Sequence, residues 1–325
     1  MSKLPLTFAC GLYDRMLALH TREVVPEGID LNFVAIDEPR KIFDQMVTHR
    51  AYDASEMSAS EHVAMVASGN SACVGIPAFP SRVFRHSFIF VNTKRIRKPK
   101  DLEGKRVGVP LYTMTAAIFI RGLLQHEYGV DFEKIHWVQG AVNHPGAHGA
   151  PTVLPLLKPI KIEVDPSGKS LSDLIEARVV DATLGTSLPE AIRTNPDIAR
   201  LFPNYVELEK AYYKRTGIYP IMHLVAIKKE IYGRYPFVAT SLYNAFVESK
   251  RIALKHMYNL RALRYMTPFL MRDIDEIYET FNGDPWPYGV DKNRKTLEAL
   301  VTYLVDQHLI AAPVSVDELF VPTYG

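Results

Sequence analysis

Apolar positions along the chain fall into runs of two periods, and their order predicts a mixed α/β protein. Leu4 to Cys10 is a short apolar strand that gives way to Gly11-Leu12-Tyr13-Asp14-Arg15. After the Pro26-Glu27-Gly28 turn, Ile29 to Ile36 alternates as a second strand. Pro39 opens a helix whose apolar residues Ile42, Phe43, Met46 and Val47 keep helical spacing. A third short strand is expected within Arg50 to Met57. Ser58, with Glu61 three residues on, is a capping-box pattern for a helix over Ala59 to Ala67. Cys73 to Ile76 reads as a fourth strand ended by Pro77 and Pro80, and Phe88 to Val91 as a fifth.

The plan then repeats. Val107 to Pro110 is a strand followed by Leu111-Tyr112-Thr113, echoing Leu12-Tyr13 after the first strand. A helix from Thr113 to Tyr128 buries Ala116, Ala117, Ile120, Leu123 and Leu124, and a strand follows at Ile135 to Val138. Past a helix at Leu171 to Ala177, Arg178-Val-Val-Asp181-Ala182-Thr183 matches Arg50-Ala-Tyr-Asp53-Ala54-Ser55. Two half-chains built alike predict two similar α/β lobes. The expected division is residues 1–90 with 224–325 as one lobe and 91–223 as the other. The strand ending at Ile227 carries His223 near its start. Helices at Pro236 to Met257, and behind Asp291 with Leu297, Leu300, Val301 and Leu304 in one stripe, are expected to pack on the first lobe. A ligand cleft is expected between the lobes, faced by the loops Gly11 to Arg15 and Pro110 to Thr115.

Composition narrows the chemistry. Of 325 residues, 47% are hydrophobic and 23% charged, which fits a globular protein of two ordinary domains. A net charge of +2 gives no case for nucleic acid, and Lys94 to Lys98 is a short solvated turn before Pro99. No apolar run approaches the roughly 20 residues of a membrane span, and the N-terminus has no signal-peptide pattern, so a cytoplasmic location is expected. Cys10 and Cys73 sit in apolar runs and read as buried thiols. Gly140 to Gly168, rich in Pro, Gly and His, reads as a long excursion or hairpin. His144 and His148 are spaced like metal ligands, but Pro145 and Gly146 forbid the helix that would align them, and no metal is expected.

The most concentrated chemistry is Phe79-Pro80-Ser81-Arg82-Val83-Phe84-Arg85-His86, where guanidinium forks and an imidazole crowd an extended segment. Such forks suit a planar carboxylate, although a solvated edge loop has the same composition.

That stretch resembles the 4,5-dihydroxyphthalate decarboxylase family. So do Ala9-Cys10-Gly11 with Tyr13-Asp14, Pro26 to Leu31, Gly104 to Pro110, Met114 to Ala117, Ala211 to His223 and Trp286-Pro287-Tyr288-Gly289. The matches run from residue 6 to about residue 320. The resemblance implies a two-lobed type II periplasmic-binding-protein-like fold with C-terminal helices, acting on a bound aromatic ring. Leu12 stands where the family usually has an acidic residue, and Thr183 to Pro189 is poorer in Pro and Arg. These departures keep another aromatic carboxylate open as substrate.

The implied reaction is cofactor-independent decarboxylation of 4,5-dihydroxyphthalate to 3,4-dihydroxybenzoate (protocatechuate). It needs a proton donor at the ring, an acceptor near the hydroxyls and an anchor for the remaining carboxylate. His86 and His223 are the expected proton-transfer groups, with Asp14 and Glu56 as acceptors. Arg82, Arg85, Arg15 and Ser81 are the expected carboxylate contacts. Tyr112, Thr113 and Thr115 lie at a helix start suited to an anion, and Trp286 and Tyr288 are placed to stack on a ring. Plainer alternatives stay open: Asp14 as a helix cap, Glu56 paired with an arginine, His223 as a core histidine. At the level of function, a non-catalytic binding protein for aromatic carboxylates is the main alternative. A pyrimidine-synthase-like relative is the third, without a cysteine-rich iron motif to support it. The only partner expected is the small aromatic substrate, and the sequence leaves open whether copies of the chain form a homo-oligomer.

Overall fold

The computed structural model describes residues 3–149 and 156–323. The chain forms two compact units. One comprises Met1–Arg82, Ile221–Leu297 and Val314–Gly325; the other comprises Val83–Pro220 and Glu298–Pro313.

The first unit begins with β1 (Leu4–Cys10), α1 (Asp14–His20), β2 (Ile29–Ala35), α2 (Pro39–His49), β3 (Ala54–Ser58), α3 (Ala59–Ala67) and β4 (Cys73–Arg82). The second unit holds β5 (Ile89–Asn92), β6 (Arg106–Val109), α4 (Thr115–Tyr128), β7 (His136–Gln139), β8 (Ile162–Val164), α5 (Leu171–Glu176), β9 (Ala182–Leu184), α6 (Ala191–Thr194), β10 (Ile198–Arg200) and α7 (Tyr205–Thr216). The chain then returns to the first unit through β11 (Ile221–Lys228), α8 (Lys229–Arg234), α9 (Phe237–Met257) and α10 (Leu270–Phe281), and α11 (Arg294–Asp306) runs from the first unit into the second.

The first sheet has the order β2-β1-β3-β11-β4, with β1 parallel to β2 and β3 and β11 antiparallel to both its neighbours. Phe8, fully buried on β1, packs 5.4 Å from Phe33 and 5.2 Å from Phe246 of α9. Burying one such ring contributes about 1.5–3 kcal/mol. The second sheet has the order β10-β5-β9-β6-β7-β8, and its core gathers Tyr112, Phe132 and Trp137 against Ile120 and Leu124 of α4. Ser58 caps α3 as expected, accepting from Glu61 N–H at 3.5 Å, while the Glu61 carboxylate reaches Arg40 at 2.5 Å.

The structure corrects several expectations. β4 does not stop at its first proline but continues through Pro77 and Pro80 to Arg82. It is an edge strand, where a missing N–H leaves no ladder partner unsatisfied. The excursion over 140–168 is no hairpin where described, since β8 pairs parallel to β7; residues 150–155 lie outside the described residues. The boundaries between units fall at Arg82 and Pro220, so 83–90 joins the second unit and 221–223 the first. Residues 298–313 leave the first unit altogether. Tyr303 of α11 fills the space over Gly122 of α4, and Gln307 accepts from Arg121 Nε at 2.8 Å while donating to Ile118 O at 2.9 Å. Among the described residues no helix is long and apolar enough to cross a membrane.

Candidate active site

In the first unit the register of three strands brings the chemistry together. His223 of β11 lies opposite Ser58 of β3, and Val225 lies opposite Glu56. Residues two apart share a face, so Glu56 and His223 are diagonal neighbours on one face of the sheet, within reach of a long side chain. On the other flank of β3, Phe8 and Ala9 pair with Ala54 and Ser55, which carries Cys10 and Gly11 alongside Glu56. This is the carboxyl edge of the parallel strands, where α1 and α3 begin.

Glu56 is fully buried, and protein donors surround both its oxygens. Oε1 accepts from His223 Nδ1 at 2.5 Å and from the Tyr13 hydroxyl at 2.7 Å. Oε2 accepts from Gly11 N–H at 3.0 Å and from Cys10 Sγ at 3.4 Å. Burial alone would push the carboxyl up. The charge of His223 and hydrogen bonds from His223, Gly11 and Tyr13 outweigh it and hold Glu56 below its ordinary range. An ionised carboxylate only accepts, so Nδ1 of His223 carries its proton and Nε2 is the ring's other working nitrogen. The His223 side chain keeps 18% of its surface exposed, while its ring edge rests on Phe43 with centroids 4.9 Å apart.

Tyr13 connects this pair to Arg15. The Arg15 guanidinium carbon lies 4.4 Å from the Tyr13 ring centre and 4.1 Å from that of Trp286. Its Nε and Nη2 donate to Pro80 O, the former at 2.7 Å, and Nη1 donates to Asp14 at 2.9 Å. Trp286 is itself fixed by Nε1 donating to Phe79 O at 2.8 Å. Ser81, next along β4, faces His223 across the β4–β11 pair. Glu56, His223, Arg15, Ser81 and Trp286 are therefore gathered in one place.

Other expected residues make contacts within the fold. Arg82 is buried and donates to Asn293 Oδ1 at 2.7 Å and Pro287 O at 3.2 Å, tying the 287–293 loop to the end of β4. Tyr288 is buried with its phenol pushed above the ordinary range by desolvation. Asp14 is the first residue of α1; its carboxylate holds the Arg15 guanidinium, accepts from the Arg15 N–H in the first turn at 2.7 Å and accepts from the Tyr265 hydroxyl at 2.9 Å.

In the second unit Arg85 and His86 lead into a short 3-10 turn at His86–Phe88. Arg85 is buried, donates to Gly185 O at 3.2 Å and lies 5.0 Å over the Phe88 ring; burial penalises its charge, and Glu209 opposes that. His86, expected to handle protons, is 3% exposed and edge-on to Tyr212 and Phe202. Desolvation pulls it down to about 4, so it is neutral in ordinary buffers. Its Nδ1 stands 3.9 Å from Glu209, a buried acid that no pattern along the chain singles out. Burial pushes Glu209 up to about 7 against hydrogen bonds from Ser87.

Tyr112, Thr113 and Thr115 lie where β6 turns into α4, and all three are buried. Thr115 is the first helical residue behind Met114, while Arg121 lies 3.7 Å over the Tyr112 ring and donates to Tyr112 O at 2.8 Å. Among the described residues no group of three or more His, Cys, Asp or Glu side chains could hold a metal ion.

Comparison with known proteins places this geometry. A family profile described as NMT1/THI5 like matches residues 26–148. Among solved structures, an alkanesulfonate-binding protein of Xanthomonas axonopodis pv. citri superposes with a TM-score of 0.54 at 11% identity, over 99% of each chain. The periplasmic aliphatic sulphonate-binding protein of Escherichia coli gives 0.54 at 11% identity, over 99% of this chain and 94% of that one. At such identities the likeness concerns the fold, which is that of the periplasmic binding proteins. Two curated relatives carry the name 4,5-dihydroxyphthalate decarboxylase. That of Pseudomonas putida is 33% identical over 62% of this chain and 78% of its own length. That of Comamonas testosteroni is 32% identical over 324 residues, 99% of this chain and 98% of the relative. Matched in this way from end to end, the chain belongs to the 4,5-dihydroxyphthalate decarboxylase family.

Proposed function

We propose that this protein decarboxylates a hydroxylated aromatic dicarboxylate, 4,5-dihydroxyphthalate being the substrate its relatives' name indicates. The observation that carries the reading is the buried Glu56 carboxylate bonded to the partly exposed His223 imidazole. In the proposed reaction the carbon bearing the departing carboxylate has a hydroxyl para to it. Loss of that phenolic proton pushes electron density onto the ring, and the carbon takes a proton from Nε2 of the His223 imidazolium. The carbon–carboxylate bond then breaks, its electron pair restores the aromatic ring, and carbon dioxide leaves. His223 recovers its proton from solvent, and the phenolate left on the ring takes back from solvent the proton that the phenol had released there. One proton is consumed and one carbon dioxide released, so no redox partner is needed.

Glu56 cannot itself meet the substrate, because protein donors occupy its oxygens. Its part is to fix the imidazole tautomer and stabilise the imidazolium, as a carboxylate behind a catalytic histidine does. Arg15 and Ser81, gathered near His223, are the proposed contacts for the carboxylate that stays, and a charge-assisted pair of this kind contributes about 1.5–3 kcal/mol.

The test is incubation of the purified protein with 4,5-dihydroxyphthalate in deuterated water. Release of carbon dioxide and 3,4-dihydroxybenzoate, deuterated at the carbon that lost its carboxylate, is expected, with the His223→Asn variant inactive. Tight binding of aromatic dicarboxylates without carbon dioxide release would establish the binding-protein alternative instead.

A further inference from the structure

His223 is not the only donor on the inner oxygen of Glu56. Tyr13 donates to the same Oε1, at 2.7 Å against 2.5 Å for His223, and it is delivered there by the loop between β1 and α1. The loop is shaped for this. A Cβ at position 11 would stand 2.9 Å from Cζ and 3.1 Å from the hydroxyl oxygen of Tyr13, so only glycine lets the phenol fold back over the strand end. Arg15 covers the ring from the other side.

We propose that Tyr13 is a positioning residue that sets the proton affinity of His223 by competing with it for Oε1 of Glu56. The inference rests on His223 being the proton donor of the proposed reaction. A hydrogen bond to a carboxylate oxygen withdraws part of its charge, and whatever Tyr13 takes is lost to the Nδ1–H of His223. With Tyr13 in place the imidazolium is held loosely enough to give up its proton from Nε2. Without it, Oε1 belongs to His223 alone, the imidazolium is held more tightly, and it becomes a poorer acid. Among the described residues, the charged and titratable groups around this oxygen include Cys10 from β1, Asp14 and Arg15 from α1 and His223 from β11, with the Tyr288 phenol beyond Cys10 and Arg15. The Cys10 thiol is pushed up by burial and by Glu56, so it stays neutral.

The experiment is a nuclear magnetic resonance titration of the ligand-free protein labelled with ¹⁵N-histidine, the His223 signals being assigned by their loss in His223→Asn. Tyr13→Phe keeps the ring between Gly11 and Arg15 and removes only the hydroxyl. It is expected to move the His223 midpoint up by about one pH unit. A fluorotyrosine at position 13 has a more acidic phenol, competes harder for Oε1 and is expected to move the midpoint down. In parallel the alkaline limb of the kcat/KM profile shifts the same way, and kcat on the plateau falls in Tyr13→Phe. Midpoints unchanged in both variants overturn the proposal, even where activity drops, because a merely structural tyrosine would lower activity without displacing the titration. Displaced midpoints in a protein that releases no carbon dioxide would support the role of Tyr13 and discard the decarboxylase reading alone.

Discussion

Each unit of this molecule buries a glutamate beside a histidine, and the two pairs behave in opposite ways. In the first, Glu56 meets His223 at 2.5 Å, keeps its charge and holds a ring that is 18% exposed. In the second, Glu209 stands 3.9 Å from His86; the acid is pushed up to about 7 and the imidazole pulled down to about 4. The residue types are the same, and both acids are buried. The difference is donors: Glu56 is met by a backbone N–H, a phenol, a thiol and an imidazole, enough to outweigh the desolvation of its charge. Glu209 is met by the Ser87 N–H and hydroxyl and the His86 backbone N–H, with the charge of Arg85 beside it, and desolvation still wins. One pair keeps its carboxylate charged against a partly exposed imidazole. The other discharges into its core.

The comparison breaks most sharply at the charged pair. His223→Asn and Glu56→Gln are each expected to lower kcat by about 10²–10⁴-fold, the range for loss of a positioned general acid or of its orienting carboxylate. Glu56→Gln should cost nearly as much as His223→Asn, since its amide nitrogen would confront either Nδ1–H together with the Tyr13 hydroxyl or the Gly11 N–H with another donor. Steady-state rates of carbon dioxide release measure both. A Glu56→Gln enzyme within threefold of the wild type would place the chemistry elsewhere.

Next in size is Gly11→Ala. The added methyl group meets the Tyr13 ring, and an overpacked site of this kind costs about 1–3 kcal/mol. Tyr13 is expected to swing off Glu56 and kcat to fall about tenfold. Denaturant midpoints and rates, measured together, separate the two losses; activity lost with little stability lost would mark the loop as shaped for the site.

Much of the first unit was legible because its elements announce themselves. α2 and α3 carry apolar stripes and start signals, and β1 and β2 begin at Leu4 and Ile29 as read. β4 was cut short because two prolines forbid a central strand, and only the topology reveals an edge. The end of α11 was misplaced for a related reason: its stripe shows that it buries a face, not which unit receives it. Glu56 and His223 were both legible as titratable residues on strands, yet 167 positions separate them, and their partnership depends on register. His86 follows two arginines and stands out by composition, while its burial depends on the packing of Tyr212 and Phe202, which composition does not show. Glu209 sits among Glu207 and Lys210 in a charged stretch, where nothing sets a buried acid apart from its solvated neighbours.

The discharged pair yields the smaller effects, through stability rather than rate. Glu209 binds its proton more tightly folded, at about 7, than unfolded, at about 4.3, so stability falls as pH rises through 7. Glu209→Gln still offers Ser87 an acceptor and escapes this loss. It is expected to be about 3 kcal/mol more stable than the wild type at pH 8.5 and equal to it near pH 4, with kcat changed less than threefold. A variant less stable at pH 8.5 would mean that the Glu209 charge is needed beside Arg85.

His86 carries the opposite sign. Unfolded it takes a proton near pH 6.5, folded only near 4, so the unfolded state binds more protons in between and stability falls as pH drops through that window. By pH 5 the loss is about 2 kcal/mol. His86→Phe keeps an aromatic edge against Tyr212 and Phe202 and removes the titrating nitrogen. Its stability should match the wild type at pH 8 within about 1 kcal/mol and exceed it by about 2 kcal/mol at pH 5. The flattening is partial, because His62, fully buried with Nε2 donating to Leu319 O at 2.8 Å, is held down by desolvation in the same way. Urea unfolding at the two pH values reads the difference. Parallel wild-type and variant curves would show that His86 is charged in the fold, which would make the two glutamate–histidine pairs alike after all.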